Sequence, residues 1–208
     1  MNQLPKPVLS MIISFSFSNR AVCRRWRDAV KYSFAEDDFK KIAKFGTESV
    51  LRLFLAQHPS ADWCKGLYHA CKKGNKSIAQ IMVQRGARSL YISLYIACKK
   101  GYKSIVKFLV QCGADDWDYG LRGACFSGSK SLVLLMIRCG ATELNEPLIV
   151  ACKKGYKSIV KILIQCGADD FNRGLFYACK HGSMGVVKYL SRYVDRETYS
   201  EYLNKYCC

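Results

Sequence analysis

The sequence is poor in the residues that most enzymes need. It holds only three histidines, and His58, His69 and His181 stand at unrelated offsets with no Ser, Cys or Asp arrangement beside them. No glycine-rich phosphate loop is present. These absences read as a non-enzymatic protein with no catalytic residues, cofactor or metal. Prolines number just 4 in 208 residues, which leaves long stretches free to be helical. No segment reaches the roughly 18 uncharged apolar residues that a membrane span requires. The longest apolar-rich stretch, Val8 to Phe17, is broken by serines and lacks a small-residue cleavage site, so no signal peptide is read. Acidic residues are also scarce: 16 against 33 basic ones, a net charge of +17. An excess of that size attracts acidic partners and says nothing about fold.

What is abundant is repetition. Ala-Cys occurs at Ala70-Cys71, Ala97-Cys98, Ala124-Cys125, Ala151-Cys152 and Ala178-Cys179, each step being 27 residues. Leu67, Leu94, Leu121, Leu148 and Leu175 precede these pairs by three positions. Gly74, Gly101, Gly128, Gly155 and Gly182 follow them, and Gly-Ala recurs from Gly86, Gly113, Gly140 and Gly167. Leu94, Ala97 and Cys98 share one helical face. Gly101 supplies a left-handed helix end. Ser104 is placed to cap a second helix, whose apolar stripe is Ile105, Val106, Leu109 and Val110. Neither helix is long enough to stand alone, so stability comes from stacking unit on unit. The expected fold is an all-α helical-repeat solenoid with little or no strand.

Small residues in the Ala-Cys pairs let helices approach closely, and their cysteines read as small hydrophobes rather than ligands. That placement argues for a reducing, intracellular setting despite 12 cysteines, cytoplasmic in the first instance with the nucleus left open. Cys112, Cys139 and Cys166 form a second, partly exposed ladder. Trp63, Leu90, Trp117, Leu144 and Phe171 keep the same period, which assigns them to packing between units. Ala97–Asp116 and Ala151–Asp170 differ only at Phe108/Ile162 and Val110/Ile164, so the array grew by duplicating a two-unit block. A degenerate first unit spans about Ala35 to Asp62. Past Val194 the pattern fails, and Asp195 is placed to cap a last helix through Tyr206 with Tyr199, Tyr202 and Leu203 on one side.

The order Leu, Ala-Cys, Gly, Ile-Val, Leu-Val and Gly-Ala-Asp resembles the ankyrin repeat. The family's period is about 33, roughly six more than the spacing here, and its Thr-Pro-Leu-His start is missing. The resemblance therefore implies ankyrin-like helix pairs with shortened hairpin fingers. Such short units are similar to repeats in proteins of large DNA viruses, which would place the chain in host cytoplasm.

Residues 1–30 do not follow the period. Leu4-Pro5, then Val8, Leu9 and Ile12 at helical spacing, then Val22-Cys23-Arg24-Arg25-Trp26, resemble the F-box. That resemblance implies docking on the Skp adaptor of an SCF ubiquitin ligase through Leu4, Pro5, Val8, Leu9, Ile12, Val22, Cys23 and Trp26. A plain amphipathic cap for the solenoid is the alternative. The division is thus 1–30 F-box-like module, 31–194 array of about six units, and 195–208 capping helix and tail. The final Cys207-Cys208 is similar to a prenylation tail, and ordinary tails also end this way.

Lysines repeat with the units: Lys72, Lys73, Lys76; Lys99, Lys100, Lys103; Lys153, Lys154, Lys157; Lys180. The middle unit carries Phe126 and Ser127 instead, leaving Lys130. The acidic residues Asp115, Asp116, Asp118, Asp169 and Asp170 fall in the inter-unit loops. The lysine stripe suits a solvated face, an acidic protein partner or nucleic acid; the lack of interleaved exposed aromatics at stacking positions and of any nucleic-acid motif counts against the last. In ankyrin-like arrays the first-helix face lines the binding groove. There the positions that follow each Leu vary, namely His69, Ile96, Gly123, Val150 and Tyr177, with Lys72, Lys73, Lys99, Lys100, Lys153 and Lys154 alongside. The expected activity is protein binding: a receptor joining a target to the ligase, or a stand-alone module that sequesters its partner.

Overall fold

The computed structural model describes residues 38–58 and 61–206. The F-box-like residues from Leu4 to Trp26 and the Cys207-Cys208 tail lie outside them. Among the described residues every regular element is an α-helix. The degenerate first unit holds α1 (Asp38–Phe45) and α2 (Glu48–Gln57). Full units follow as α3 (Trp63–Lys73) with α4 (Lys76–Gln84), α5 (Leu90–Lys100) with α6 (Lys103–Gln111), and α7 (Trp117–Ser127) with α8 (Lys130–Cys139). The array continues as α9 (Asn145–Lys153) with α10 (Lys157–Gln165), then α11 (Phe171–Lys180) with α12 (Met184–Leu190), and ends at α13 (Arg196–Tyr206).

First helices stack on first helices, from α1 through α3, α5, α7 and α9 to α11. The second helices follow in a parallel row, with α2 on α4, α4 on α6 and α10 on α12. The core runs the length of the array between the two rows. The five Leu and five Ala of the period are fully buried, and the five paired cysteines are at most 1% exposed. Fully burying a leucine side chain is worth about 1.5–3 kcal/mol relative to exposure, so the repeated Leu is a main source of cohesion. Trp63, Leu90, Trp117, Leu144 and Phe171 pack against this core, each at the start of its unit's first helix.

Close approach depends on small residues. A β-carbon at Gly123 of α7 would stand 2.6 Å from the Tyr95 carbonyl oxygen and 3.1 Å from the Cys98 β-carbon of α5. One at Gly174 of α11 would stand 3.2 Å from the Cys152 sulfur of α9. At these two interfaces the paired cysteine of one unit thus meets a glycine on the next.

The helix starts differ in detail from expectation. Ser104 is exposed within the first turn of α6; the cap residue is Tyr102, whose carbonyl accepts from Ile105 and Val106. The chain enters the helix directly from left-handed Gly101, which moves the start two residues earlier. Asp118 sits in the first turn of α7, not in a loop, whereas Asp116 and Asp170 cap α7 and α11 by accepting from Tyr119 and Arg173 amides at 3.0 and 3.3 Å.

The short inter-unit loops are tied down by side chains of the preceding unit. Asp118 accepts from the Thr142 and Glu143 amides at 2.7 and 2.8 Å. Asn145 accepts from the Asp169 and Asp170 amides at 3.0 and 3.2 Å and donates to the Asp169 carboxylate at 3.0 Å. In these two loops, backbone groups that a full hairpin would pair with each other are satisfied by one polar residue each. At the far end Asp195 caps α13 through the Thr198 amide and hydroxyl, both at 2.8 Å. Tyr199, Tyr202, Leu203 and Tyr206 close over the last unit.

Candidate partner-binding face

The first helices present three longitudinal rows outside the core. One holds the positions that vary between units. His69 is buried; Ile96, Val150 and Tyr177 are half-buried. Gly123 is shut off against the Tyr95 backbone and presents nothing.

A second row is cationic. Lys72, Lys73, Lys99, Lys100, Lys153, Lys154 and Lys180 are all exposed near the carboxyl ends of their helices. Lysine is favoured there by the helix dipole.

The third row was missed by sequence reasoning. One turn before these lysines stand Tyr68, Tyr95 and Phe176, with Phe126 replacing a lysine in the middle unit. Lys72 lies 5.5 Å from the Tyr68 ring centre and Lys180 5.7 Å from that of Phe176. Lys99 lies between two rings, 5.3 Å from Tyr95 and 4.9 Å from Phe126, and its ammonium donates to the Tyr95 hydroxyl at 3.3 Å. Aromatic rings are therefore interleaved with the lysine stripe, but all four are half-buried rather than exposed. The signal was a helical i, i+4 spacing of aromatic and lysine, hidden because two units carry Arg122 and Ile149 in the aromatic place. These faces are occupied rather than open. Tyr95 also stacks on Tyr119, with ring centres 4.2 Å apart.

The cysteine chemistry separates into two kinds. Burial pushes the Cys71, Cys98, Cys125 and Cys152 thiols up to about 12, which makes them inert packing groups at neutral pH. Cys112 and Cys139 are half-buried and Cys166 is exposed. Cys64 differs: a hydrogen bond from Ser89, then the Arg88 amide at 3.4 Å, lowers its pKa. It occupies the same place in its unit as Asp118 and Asn145 and likewise holds the next loop.

At the amino-terminal end of the face, His69 is depressed to about 4, first by burial and then by Lys44, Lys40, Lys72 and Lys65. Among the described residues no three His, Cys, Asp or Glu side chains converge as a metal site, and no helix is long and apolar enough to cross a membrane. The face is a cationic strip lined by half-buried aromatic rings.

A family model described as ankyrin repeats (3 copies) matches residues 40–118 and again 121–199. Among solved structures, the human ASB11 ankyrin repeat domain is similar, with a TM-score of 0.53 and 20% sequence identity. The likeness covers 68% of this chain and 83% of that one, and at such identity it speaks for the fold. No curated protein matches the sequence. The paired helices, the left-handed glycines between them and a family match over most of the array lead to one assignment: the chain belongs to the ankyrin-repeat family.

Proposed function

We propose that the chain is a substrate receptor. Its first-helix face holds a target protein with an acidic surface, and residues 1–30 dock on the Skp adaptor of an SCF-type ubiquitin ligase. Ankyrin repeats are a protein-binding scaffold, and the observation that carries the target reading is the row of exposed Lys72, Lys73, Lys99, Lys100, Lys153 and Lys154 along one side of it, interrupted at the middle unit by Phe126 and Ser127. An acidic partner is favoured over nucleic acid because the rings of the stripe are already covered by lysines or by one another, leaving little free face for bases. His69, Ile96, Val150 and Tyr177 supply what distinguishes one target from another.

The ligase link is supported by the Leu4-Pro5 start, the Val8, Leu9 and Ile12 helix face and the Val22-Cys23…Trp26 end. The mechanism is tethering: a target held on the array is kept at high effective concentration near the ligase. No group on the chain needs to react. The test is affinity capture of the full chain from cells with identification of co-eluting proteins. Skp adaptor and cullin recovered together support the receptor reading. A single partner without them leaves a stand-alone module that acts by occupancy.

A further inference from the structure

His69 is out of keeping with the scaffold around it. Its side chain is 8% exposed and its Nδ1 atom is buried with no hydrogen-bond partner. Buried polar atoms are normally paired. Packing does not require a histidine at this place, since the equivalent residues are Ile96, Gly123 and Val150 in the next three units. A nitrogen kept unpaired where an apolar side chain would serve points to a group that arrives from outside.

The surroundings say what kind of group. Lys65 and Lys72 stand four residues before and three after His69, on its own face of α3. Lys40 and Lys44 stand one turn apart on α1, which packs against α3. These four are the charges that act on the ring; α4 and α5, which also pack on α3, contribute none of them. Lys44 is half-buried, and burial together with Lys40, Lys73 and Lys72 lowers its pKa. Arg173, by contrast, bonds to Glu146 at 3.1 Å and Asp170 at 3.0 Å. Here the fields of four lysines on two packed helices bear on one unpaired nitrogen.

We infer that His69, Lys40, Lys44, Lys65 and Lys72 form a binding site for the phosphoryl group of a phosphorylated side chain on the bound protein. This rests on the reading that the partner lies along the first-helix face. A phosphate monoester brings close to two negative charges and three acceptor oxygens. It relieves the mutual repulsion of the lysines and gives His69 its missing partner. A carboxylate brings half the charge and fewer acceptors to the same cluster. Binding also reverses the field at the ring, so it favours the imidazolium and raises the His69 pKa.

The test is imidazole nitrogen NMR on the full chain, with the His69 signals identified through His69→Gln. Titrants are inorganic phosphate, a phosphoserine pentapeptide, and its serine and glutamate counterparts, all at matched low ionic strength. The expected result is a saturable shift and a raised pKa for His69 with phosphate and phosphopeptide, with His58 and His181 unaffected. The serine peptide should do nothing, and the glutamate peptide should bind far more weakly. Lys40→Gln with Lys44→Gln should raise the phosphopeptide Kd by about tenfold, as expected for losing a charge-assisted hydrogen bond, while the thermal unfolding curve stays unchanged. No shift with either phosphate form, or an equal shift in the double variant, overturns the site. Equal binding of the glutamate peptide overturns the phosphoryl assignment, and binding of phosphate without the phosphopeptide overturns the peptide-borne source. None of these outcomes depends on adaptor binding, so a failure here and a failure of the ligase link are separable.

Discussion

The ring of Tyr102 lies over Gly74 of the preceding unit, so close that a β-carbon on Gly74 would stand 2.9 Å from the ring's Cζ. Tyr156 covers Gly128 in the same way, at 2.8 Å. Both glycines are left-handed, with φ of 83° and 72°. The residue that opens α6, and likewise the one that opens α10, is therefore also the lid on the turn of the unit before it.

Gly128→Ala should consequently be more damaging than Gly167→Ala. Both positions have positive φ, which costs an L-residue about 1–2 kcal/mol, but nothing lies within 4 Å of a β-carbon at Gly167. The ring contact at Gly128 adds an overpacking cost, typically about 1–3 kcal/mol. Urea unfolding of the two variants checks the order; equal losses would show that the tyrosine yields freely.

Ala97→Leu and Ala151→Leu should each destabilise the array by about 1–3 kcal/mol, because both alanines are fully buried between helices. Lys99→Leu should cost much less, since its side chain is exposed and only its contacts to Tyr95 and Phe126 are lost. Thermal unfolding of the three variants decides, and equal effects would mean the helix faces are misassigned.

Much of this was legible in the sequence. Ala-Cys, Leu and the two glycine ladders mark residues whose environment is the same in every unit, and strict repetition exposes such residues. The helix pairs, the absence of strand among the described residues and the capping helix from Asp195 followed from them. Less visible were features that differ from unit to unit. The loop ties use Cys64, Asp118 and Asn145 at one equivalent place, three unlike residues whose partners lie about one unit further on. Small residues at another place, Gly66, Ser93, Gly120, Pro147 and Gly174, are all buried but share no side-chain chemistry. The burial of His69 depends on how α1 meets α3, which spacing does not encode.

Native-state alkylation should label Cys64 and the exposed Cys166 well before Cys71, Cys98, Cys125 and Cys152. The lowered pKa of Cys64 favours its thiolate, while the buried four stay protonated at neutral pH. Peptide mass spectrometry after a short iodoacetamide pulse reads the order. Rapid labelling of the buried four in folded protein would contradict their packing role.

Acid should weaken the fold partly through His69. Its folded pKa of about 4 lies below the ordinary histidine value of 6.5, so the unfolded chain takes up the proton first. Stability contributed this way is fully present above about pH 6.5 and is lost as pH falls toward 4. His69→Gln should flatten that part of the stability profile, measured by denaturant midpoints from pH 7 to 4. An unchanged slope would mean His69 is not held neutral in the folded state.

Reversing the stripe with Lys99→Glu, Lys100→Glu, Lys153→Glu and Lys154→Glu should leave the fold intact, since all four side chains are exposed. Binding of an acidic partner should be lost in this variant, and binding by the unaltered chain should weaken as salt rises. Circular dichroism and a salt series on the captured partner test both halves. Undiminished binding by the variant would make the stripe a solvated face and nothing more.

The receptor account stands most directly on a binding titration between purified full-length chain and purified Skp adaptor. The account predicts a saturable complex at micromolar concentration, abolished by removing residues 1–30, while the truncated chain keeps its helical spectrum, its unfolding midpoint and its hold on the target. A full-length chain that does not bind the adaptor at micromolar concentration would contradict the ligase link and leave the ankyrin array as a binding module alone. A midpoint that falls on truncation with no adaptor binding to lose would make residues 1–30 the cap of the solenoid.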